Sequence, residues 1–192
     1  MTTGRHAFAA HQLSLHRTVV MVGMMGCGKT AIGRALAQRL EVPFADSDSE
    51  IETAANASIA EIFARDGETF FRAREAEVID RLMTGPPSVL STGGGAYLSA
   101  ETRHRVARRG VAVWLDAPLD VLWERVRHKD TRPLLRTPDP RGTLAALWSE
   151  RTPVYAQAGL RMAVRAGDSI EATTQGVIEL LATRPDILEV KP

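Results

Sequence analysis

A glycine-rich segment between a buried strand and a helix constrains the fold more than any other feature of this chain. Residues 23–30 read G-M-M-G-C-G-K-T and fit the pattern G-x-x-x-x-G-K-[ST]. A continuous apolar run at residues 18–22 precedes the segment, and residues 31–40 follow it with apolar side chains at helical spacing. A strand, a glycine-rich turn and a helix in this order predict a loop whose backbone N–H groups bind phosphate. We therefore expect an α/β protein that binds a nucleotide.

The polar residues of this phosphate loop (residues 23–30) have separate predicted tasks. Lys29 is expected to reach the β- and γ-phosphates, and the Thr30 hydroxyl is expected to bind Mg²⁺. Cys27 occupies a variable position of the pattern, and its thiol is expected to be inert. The predicted nucleotide-binding residues of the loop are Gly26, Cys27, Gly28, Lys29, Thr30 and Ala31.

The rest of the chain alternates short β-branched runs with longer helical patterns, which predicts a parallel sheet covered by helices on both faces. The expected strands lie at residues 18–22, 42–45, 88–91, 111–115 and 160–164. Ser58 opens a capping box, and two helices are expected over residues 58–65 and 68–83. Residues 132–142 hold three prolines and no periodicity, which predicts a mobile loop. We expect a flexible extension at residues 1–17, one domain at 18–184 and a tail at 185–192.

Composition excludes several classes of protein. The chain has 192 residues and one cysteine, so it cannot form an internal disulfide, which favours a cytoplasmic location. No apolar run approaches the ~20 residues that cross a bilayer. Its 24 basic and 23 acidic side chains nearly cancel and are interleaved, so no basic face for nucleic acid is expected. The first acidic residue is Glu41, which leaves a targeting or binding role open for the basic N-terminal end.

Two carboxylates follow the second predicted strand, at the edge where ligands of parallel sheets bind. In an extended segment Asp46 and Asp48 would face the same way, so that both could point at one site. One could help to hold Mg²⁺, and the other could accept the proton of an attacking hydroxyl. The alternative is that Asp46 or Ser47 only caps the helix that runs through Ile51.

Further along the chain, an arginine and a run of glycines predict a site for a second ligand. Arg72 precedes Glu75 by three residues on a predicted helix, so the carboxylate could hold the guanidinium in position. Three consecutive glycines at residues 93–95 end the third strand and would let the backbone approach a ligand closely.

Taken together, these motifs resemble the shikimate kinases, a family within the nucleoside-monophosphate-kinase branch of phosphate-loop proteins. The resemblance runs from about residue 18 to residue 182, and its markers lie at residues 23–30, 46–48, 67–72, 93–95, 131–135 and 151–155. It implies a three-layer α/β/α fold with sheet order 2-3-1-4-5 and a lid at about residues 128–142. It also implies transfer of the γ-phosphoryl of ATP to the 3-hydroxyl of shikimate, with Mg²⁺ bound to the ATP.

The resemblance assigns roles to residues of both substrate sites. Asp46 corresponds to the aspartate associated with Mg²⁺, and Asp48 to the one that contacts the shikimate hydroxyls and acts as the base. Arg72 and Arg151 correspond to the pair that binds the substrate carboxylate. Gly94 corresponds to the glycine whose backbone contacts the ring hydroxyls.

The remaining implied roles concern the lid and the pocket wall. Arg132 corresponds to the lid arginine that stabilises charge on the transferring phosphoryl. Arg125 corresponds to an arginine that lies against adenine. Phe63 and Phe71 either wall the pocket or belong to the core. No aspartate ends the third strand, where Ser91 stands instead.

Three alternatives remain open from the sequence. A related kinase of gluconate would need a similar carboxylate grip. A non-catalytic nucleotide-binding relative should have lost Lys29, Asp48 or Arg132, and all three are present. A nucleic-acid-binding protein is disfavoured by the interleaved charges. The resemblance implies that the partners are shikimate and ATP; no nucleic-acid or membrane partner is expected, and the chain is expected to be a monomer.

Overall fold

A computed structural model of the protein describes residues 12–128 and 133–191. Its strands are β1 (Gln12–Leu15), β2 (Thr18–Val22), β3 (Phe44–Asp46), β4 (Val89–Ser91), β5 (Gly110–Asp116), β6 (Leu160–Ala163) and β7 (Leu188–Lys191). Its α-helices are α1 (Lys29–Leu40), α2 (Ser47–Ala55), α3 (Ile59–Leu82), α4 (Ala100–Arg109), α5 (Leu119–Val126), α6 (Pro140–Tyr155) and α7 (Ile170–Ala182). Short 3₁₀ helices span Ala96–Leu98 and Pro133–Leu135.

Five of the strands form a parallel sheet in the order β3-β4-β2-β5-β6. The predicted order 2-3-1-4-5 is confirmed, because β1 precedes the first predicted strand and shifts each number by one. The central strand β2 is buried at every position, as its continuous apolar sequence predicts for a strand covered on both faces. Pro43 directly precedes the edge strand β3, where its missing N–H leaves no gap in the interior of the sheet.

The two helices predicted between residues 58 and 83 are continuous apart from a kink. Ser58 caps the first turn, and its side chain and backbone form a capping box with Glu61, as predicted. Gly67 interrupts the helical backbone with φ 83° and ψ 169°, a conformation that favours glycine. The kink separates the beginning of α3 from the turn that carries Arg72.

The prediction of flexible tails is wrong for the residues that the structure describes at each end. Strands β1 and β7 pair antiparallel, with Gln12 opposite Lys191 and Leu15 opposite Leu188. Leu15 and Leu188 are both buried against the main core. Each strand therefore supplies the other with a hydrogen-bonding partner and an apolar contact. Neither four-residue segment could be identified alone, because the pairing joins the two ends of the chain.

Regular structure occupies two parts of residues 132–142, the segment for which the sequence predicted a mobile loop without periodicity. A 3₁₀ helix spans Pro133–Leu135, and α6 begins at Pro140 with Asp139 as its N-cap. Proline is well suited to the first turn of a helix, where its missing N–H has no intrahelical partner. Arg132 lies outside the described residues. None of the described helices has the length and apolar character needed to cross a membrane.

Candidate active site

A cavity of about 470 Å³ lies at the carboxyl ends of β2, β3 and β4. Its lining includes many of the predicted site residues: Gly26, Gly28, Lys29, Thr30, Ala31, Asp46, Asp48, Gly94 and Arg125. Three other predicted residues, Cys27, Arg72 and Arg151, are not part of this lining. The cavity therefore joins the phosphate loop to the two aspartates and to the glycine segment (Gly93, Gly94 and Gly95).

The phosphate loop curls between β2 and α1. Gly28 is the N-cap of α1 and has φ 106°; because glycine has no side chain, the first N–H groups of the helix have no side-chain cap. Lys29 donates from Nζ to the carbonyl oxygens of Gly23 at 2.9 Å and Met24 at 3.0 Å. The Cys27 side chain is fully buried. Free N–H groups at a helix start and a nearby ammonium suit the binding of an anion.

Arg125 lies against the outer side of this loop. Its Nη1 donates to the carbonyls of Gly26 and Cys27, each at 3.4 Å. Across the cavity, the beginning of α7 contributes lining residues that sequence reasoning did not assign: Asp168, Ser169, Ile170 and Thr173. Their position after β6, at the same edge of the sheet, is the signal that could have identified them.

The candidate metal site consists of oxygen atoms from three segments. The Thr30 hydroxyl donates to Asp46 Oδ2 at 2.9 Å and lies 3.2 Å from Ser91 Oγ. Asp46 also caps α2, because its Oδ1 accepts from the N–H groups of Asp48 and Ser49. The capping and metal-binding interpretations of Asp46 are therefore compatible. The Asp46 carboxylate and the Thr30 hydroxyl, with the Ser91 hydroxyl beside them, fit Mg²⁺, which keeps several waters and binds substrate phosphates rather than a full protein cage.

Asp48 reaches the cavity by a different route from the one predicted. It lies in the first turn of α2 and not in an extended segment, so its alignment with Asp46 comes from the helix start. Its Oδ1 is buried and has no hydrogen-bond partner among the described residues. Burial, with the nearby Asp46 carboxylate, raises the pKa of Asp48 to about 6, while Lys29 and Arg72 act in the opposite direction. A buried acceptor of this kind is suited to taking a proton from a ligand.

Arg72 is held by two carboxylates of its own helix. Its Nη1 donates to Glu75 at 2.7 Å, as predicted, and its Nε and Nη2 donate to Glu68 at 3.3 and 3.2 Å. The guanidinium also lies 5.1 Å from the centre of the Phe71 ring and 5.9 Å from that of Phe63. Phe71 is buried in a small cluster with Ile51 and Ile62, which favours the core interpretation, and neither Phe71 nor Phe63 lines the cavity.

Glu75 is an unusual partner because it is almost fully buried. Burial raises the pKa of Glu75 to about 7, although the neighbouring Arg72 acts in the opposite direction. Its Oε1, like Asp48 Oδ1, has no hydrogen-bond partner among the described residues. We call the region around Asp48, Arg72 and Glu75 the acceptor side of the cavity. It contains two buried carboxyl groups beside one guanidinium.

The glycine segment lets these charged groups come together. A Cβ atom at Gly93 would lie 2.7 Å from Asp48 Oδ1 and 2.9 Å from Glu75 Oε1, and one at Gly95 would collide with the Arg72 guanidinium. Side chains at these positions would therefore displace the charged groups of α2 and α3. This close approach accounts for glycine at positions 93 and 95, whereas a Cβ at Gly94 would lie 3.6 Å or more from its neighbours.

Helix α6 contributes the last two residues. Arg151 has a buried Nε without a hydrogen-bond partner among the described residues. One turn later, the fully buried Tyr155 donates its hydroxyl hydrogen to the carbonyl oxygen of Gly94. Burial raises the pKa of Tyr155 to about 12. Sequence reasoning included Tyr155 in a motif but assigned it no task.

Comparisons with known proteins agree with this geometry. The family model described as shikimate kinase matches residues 25–182. A shikimate kinase of Ruegeria pomeroyi is 63% identical over 177 residues, which cover 92% of this chain and 91% of the relative. The solved structure of a shikimate kinase from Acinetobacter baumannii in complex with shikimate has a TM-score of 0.81 and 34% identity. The alignment covers 87% of this chain and 93% of that one.

A gluconokinase from Sinorhizobium meliloti is also similar, with a TM-score of 0.55 and 17% identity. The alignment covers 86% of this chain and 92% of the gluconokinase. At this identity the likeness concerns the fold alone. The family model, by contrast, matches residues 25–182, which include most of the phosphate loop and the predicted acceptor residues Asp48, Arg72, Gly94 and Arg151. The chain therefore belongs to the shikimate kinase family.

Proposed function

We propose that this protein transfers the γ-phosphoryl group of ATP to the 3-hydroxyl of shikimate, giving shikimate 3-phosphate and ADP in aromatic amino-acid biosynthesis. The observation that carries the proposal is the position of the glycine segment. It contacts the phosphate loop on one side and the Asp48 and Arg72 side chains on the other. A phosphate-binding loop and a carboxylate-binding arginine beside a buried proton acceptor are the parts that this reaction needs.

The nucleotide is proposed to lie along the phosphate loop. Its phosphates bind the N–H groups at the start of α1, and Lys29 exchanges its contacts with the loop carbonyls for the β- and γ-phosphates. The base occupies the end of the cavity between Arg125 and the beginning of α7. Ile170 supports this placement, because its apolar side chain is 46% exposed at that end.

Thr30 and Asp46 are the residues that would hold Mg²⁺. When bound with ATP, the metal neutralises charge on the β- and γ-phosphate oxygens. The hydrogen bond between Thr30 and Asp46 keeps both oxygens at one side of the phosphate loop before the nucleotide arrives.

Shikimate is proposed to bind with its carboxylate on Arg72 and Arg151 and its ring over Gly94. Glu75 holds the Arg72 guanidinium from the buried side. Asp48 accepts the proton of the shikimate 3-hydroxyl. At the same time the hydroxyl oxygen forms a bond to the γ-phosphorus, and the bond from this phosphorus to the departing ADP oxygen breaks. With a pKa of about 6, Asp48 is largely ionised at neutral pH yet remains a useful proton acceptor.

Arg132 is proposed to complete the site from the lid at about residues 128–142. A guanidinium there would stabilise the charge on the transferring phosphoryl, and closure of the lid would exclude water that hydrolyses ATP. We also propose a monomeric cytoplasmic enzyme without a nucleic-acid or membrane partner. The buried free thiol of Cys27 and a site assembled from a single chain support this description.

A coupled ADP-release assay with shikimate, quinate and gluconate as acceptors tests the function. We expect shikimate to stimulate ADP release at least about 100-fold more efficiently, in kcat/KM, than gluconate, because gluconate lacks the ring that Gly94 would contact. Phosphate transfer is checked by ³¹P NMR of the product. No stimulation by shikimate, or an equal response to gluconate, would overturn the proposal.

A further inference from the structure

Tyr155 connects the end of α6 to the glycine segment through a single buried hydrogen bond. Its hydroxyl donates to the Gly94 carbonyl, and its side chain is fully buried. The pKa of Tyr155 is raised by burial to about 12, so the hydroxyl keeps its proton over the whole working range of pH. Tyr155 is therefore a permanent donor to this carbonyl.

Gly94 lies where the two halves of the site meet. A Cβ atom at Gly94 would be 3.6 Å from the Gly23 carbonyl oxygen, 3.8 Å from the Met25 nitrogen and 3.8 Å from the Tyr155 hydroxyl. The residue is thus packed between the phosphate loop and Tyr155. A small rotation of its backbone would change the separation between the loop and the acceptor pocket.

The hydrogen bond restricts that rotation. The peptide unit is planar, so holding the Gly94 carbonyl also sets the direction of the N–H of Gly95. Consecutive glycines have no side chains to oppose rotation of such a peptide unit. The Gly93 and Gly95 carbonyls accept from the N–H groups of Ala96 and Leu98, whereas the Gly94 carbonyl accepts from the tyrosine hydroxyl, without which its peptide unit would sample several orientations.

Helix α6 couples this contact to the proposed carboxylate clamp. Arg151 lies four residues before Tyr155, so the two side chains share one face of the helix. Arg151 and Arg72 both lie within electrostatic range of the Tyr155 hydroxyl. One rigid element therefore carries both an arginine for the substrate and the donor that holds the glycine segment.

We propose that Tyr155 is a positioning residue for the acceptor: by holding the Gly94 carbonyl, it keeps the glycine segment and Arg151 in register with the phosphate loop. The inference rests on the proposed function and adds a residue to which the sequence assigned no task. Tyr155 does not touch the reacting atoms, and its effect is exerted through Gly94.

Replacing Tyr155→Phe removes the hydroxyl and keeps the ring. We expect the KM for shikimate to rise about tenfold, with a several-fold loss of kcat, because the acceptor surface loses one defined orientation. The KM for ATP should stay within about twofold of the wild-type value, since phosphate binding uses the loop's own N–H groups. The matched control is Tyr97→Phe, which removes the hydroxyl of another buried tyrosine beside the same segment and should leave both constants unchanged.

A purely structural role predicts another pattern. Unchanged kinetics in Tyr155→Phe, or equal increases in the two KM values, would overturn the inference. An unstimulated wild-type enzyme would instead overturn the proposed function, so the two failures are distinguishable.

A second measurement covers the case in which Tyr155→Phe does not fold. The chain has two tyrosines, so the Tyr97→Phe protein labelled with 3-fluorotyrosine carries one ¹⁹F resonance, that of Tyr155. We expect this resonance to shift and narrow on titration with shikimate, as the glycine segment settles into one orientation. A resonance that is unaffected by saturating shikimate would contradict the inference.

Discussion

The two halves of the site are built in different ways. The phosphate-binding part of the nucleotide half is one continuous segment, residues 23–30, in which Lys29 donates to carbonyls only five and six residues away. The acceptor half combines side chains of α2, α3 and α6 with the glycine segment after β4. The first half depends on local backbone geometry, whereas the second depends on how separate elements pack.

The halves also differ in their electrostatics. The nucleotide half offers backbone donors and an ammonium to an anion, which is a simple attraction. The acceptor half buries Asp48 and Glu75, whose pKa values are raised to about 6 and 7, beside the guanidinium of Arg72. Arg72 offsets only part of the cost of burying these carboxyl groups, because burial is the larger influence on both pKa values. Substitutions in the two halves should therefore separate the use of ATP from the use of shikimate.

The largest effect is expected from Asp48→Ala. Loss of the proton acceptor should lower kcat about 10³-fold, within the usual range for a general base. ATP affinity, measured by calorimetry, should change less than about threefold, because the phosphate loop is intact. Glu50→Ala on the same helix is the control, as Glu50 points to Arg81 at the surface. Normal turnover in Asp48→Ala would exclude this residue as the base.

Lys29→Met should affect the nucleotide half of the site. We expect kcat/KM for ATP to fall about 10²-fold, because one preorganised donor to the transferring phosphoryl is removed. The dissociation constant for shikimate should remain near the wild-type value. Lys191→Met, in β7, controls for the loss of a lysine. An equal loss of shikimate affinity would show that the halves are not independent.

Arg72→Lys keeps the charge and removes the planar fork. The KM for shikimate is expected to rise about 20-fold, since an ammonium cannot bind a carboxylate with two parallel hydrogen bonds while also contacting Glu75. Initial rates at saturating ATP provide the measurement. Arg74→Lys, two residues along α3 and half exposed, is the matched control. If both variants keep the wild-type KM, Arg72 does not bind the substrate carboxylate.

The smallest effect concerns the stability of the acceptor half. The pKa of Glu75 is about 7 in the folded protein against 4.5 as the ordinary value, so the folded state binds more protons between these limits. The stability contributed by this group is present below pH 4.5 and is lost as the pH rises through about 7. The Tm of the wild type relative to Glu75→Gln should therefore fall by about 5 °C between pH 5 and pH 8.

Differential scanning calorimetry of the two proteins over this pH range makes the comparison. Glu77→Gln replaces an exposed glutamate of the same helix and should follow the wild-type curve at every pH. A wild-type Tm that stays constant or rises relative to that of Glu75→Gln as the pH increases would contradict a raised pKa of Glu75 in the folded protein.

Local patterns predicted much of the fold. The apolar run of β2 indicated a strand buried on both faces, and the capping box at Ser58 indicated the beginning of α3. Both signals concern neighbours in the chain, and the structure confirms them. The pairing of β1 with β7 escaped prediction because its two strands are separated by almost the whole sequence.

Inside the site, too, contacts between residues close in sequence were predictable, whereas contacts between distant residues were not. The Arg72–Glu75 pair was predictable because its members are three residues apart on one helix. The orientation of Asp48 was predicted from an extended segment, whereas the helix start at Asp46 provides it. Tyr155 is 61 residues from Gly94, and no local pattern connects them.

The phosphate loop could be deduced from sequence because its function resides in backbone geometry, which glycine spacing and the flanking strand and helix encode locally. The acceptor pocket arose only in the tertiary structure. Three glycines permit close approach, but only the packing of α2, α3 and α6 around them brings Asp48, Glu75 and the Tyr155 hydroxyl within reach. Burial, which raises the pKa values of both carboxyl groups, is likewise a property of the folded chain and not of any residue alone.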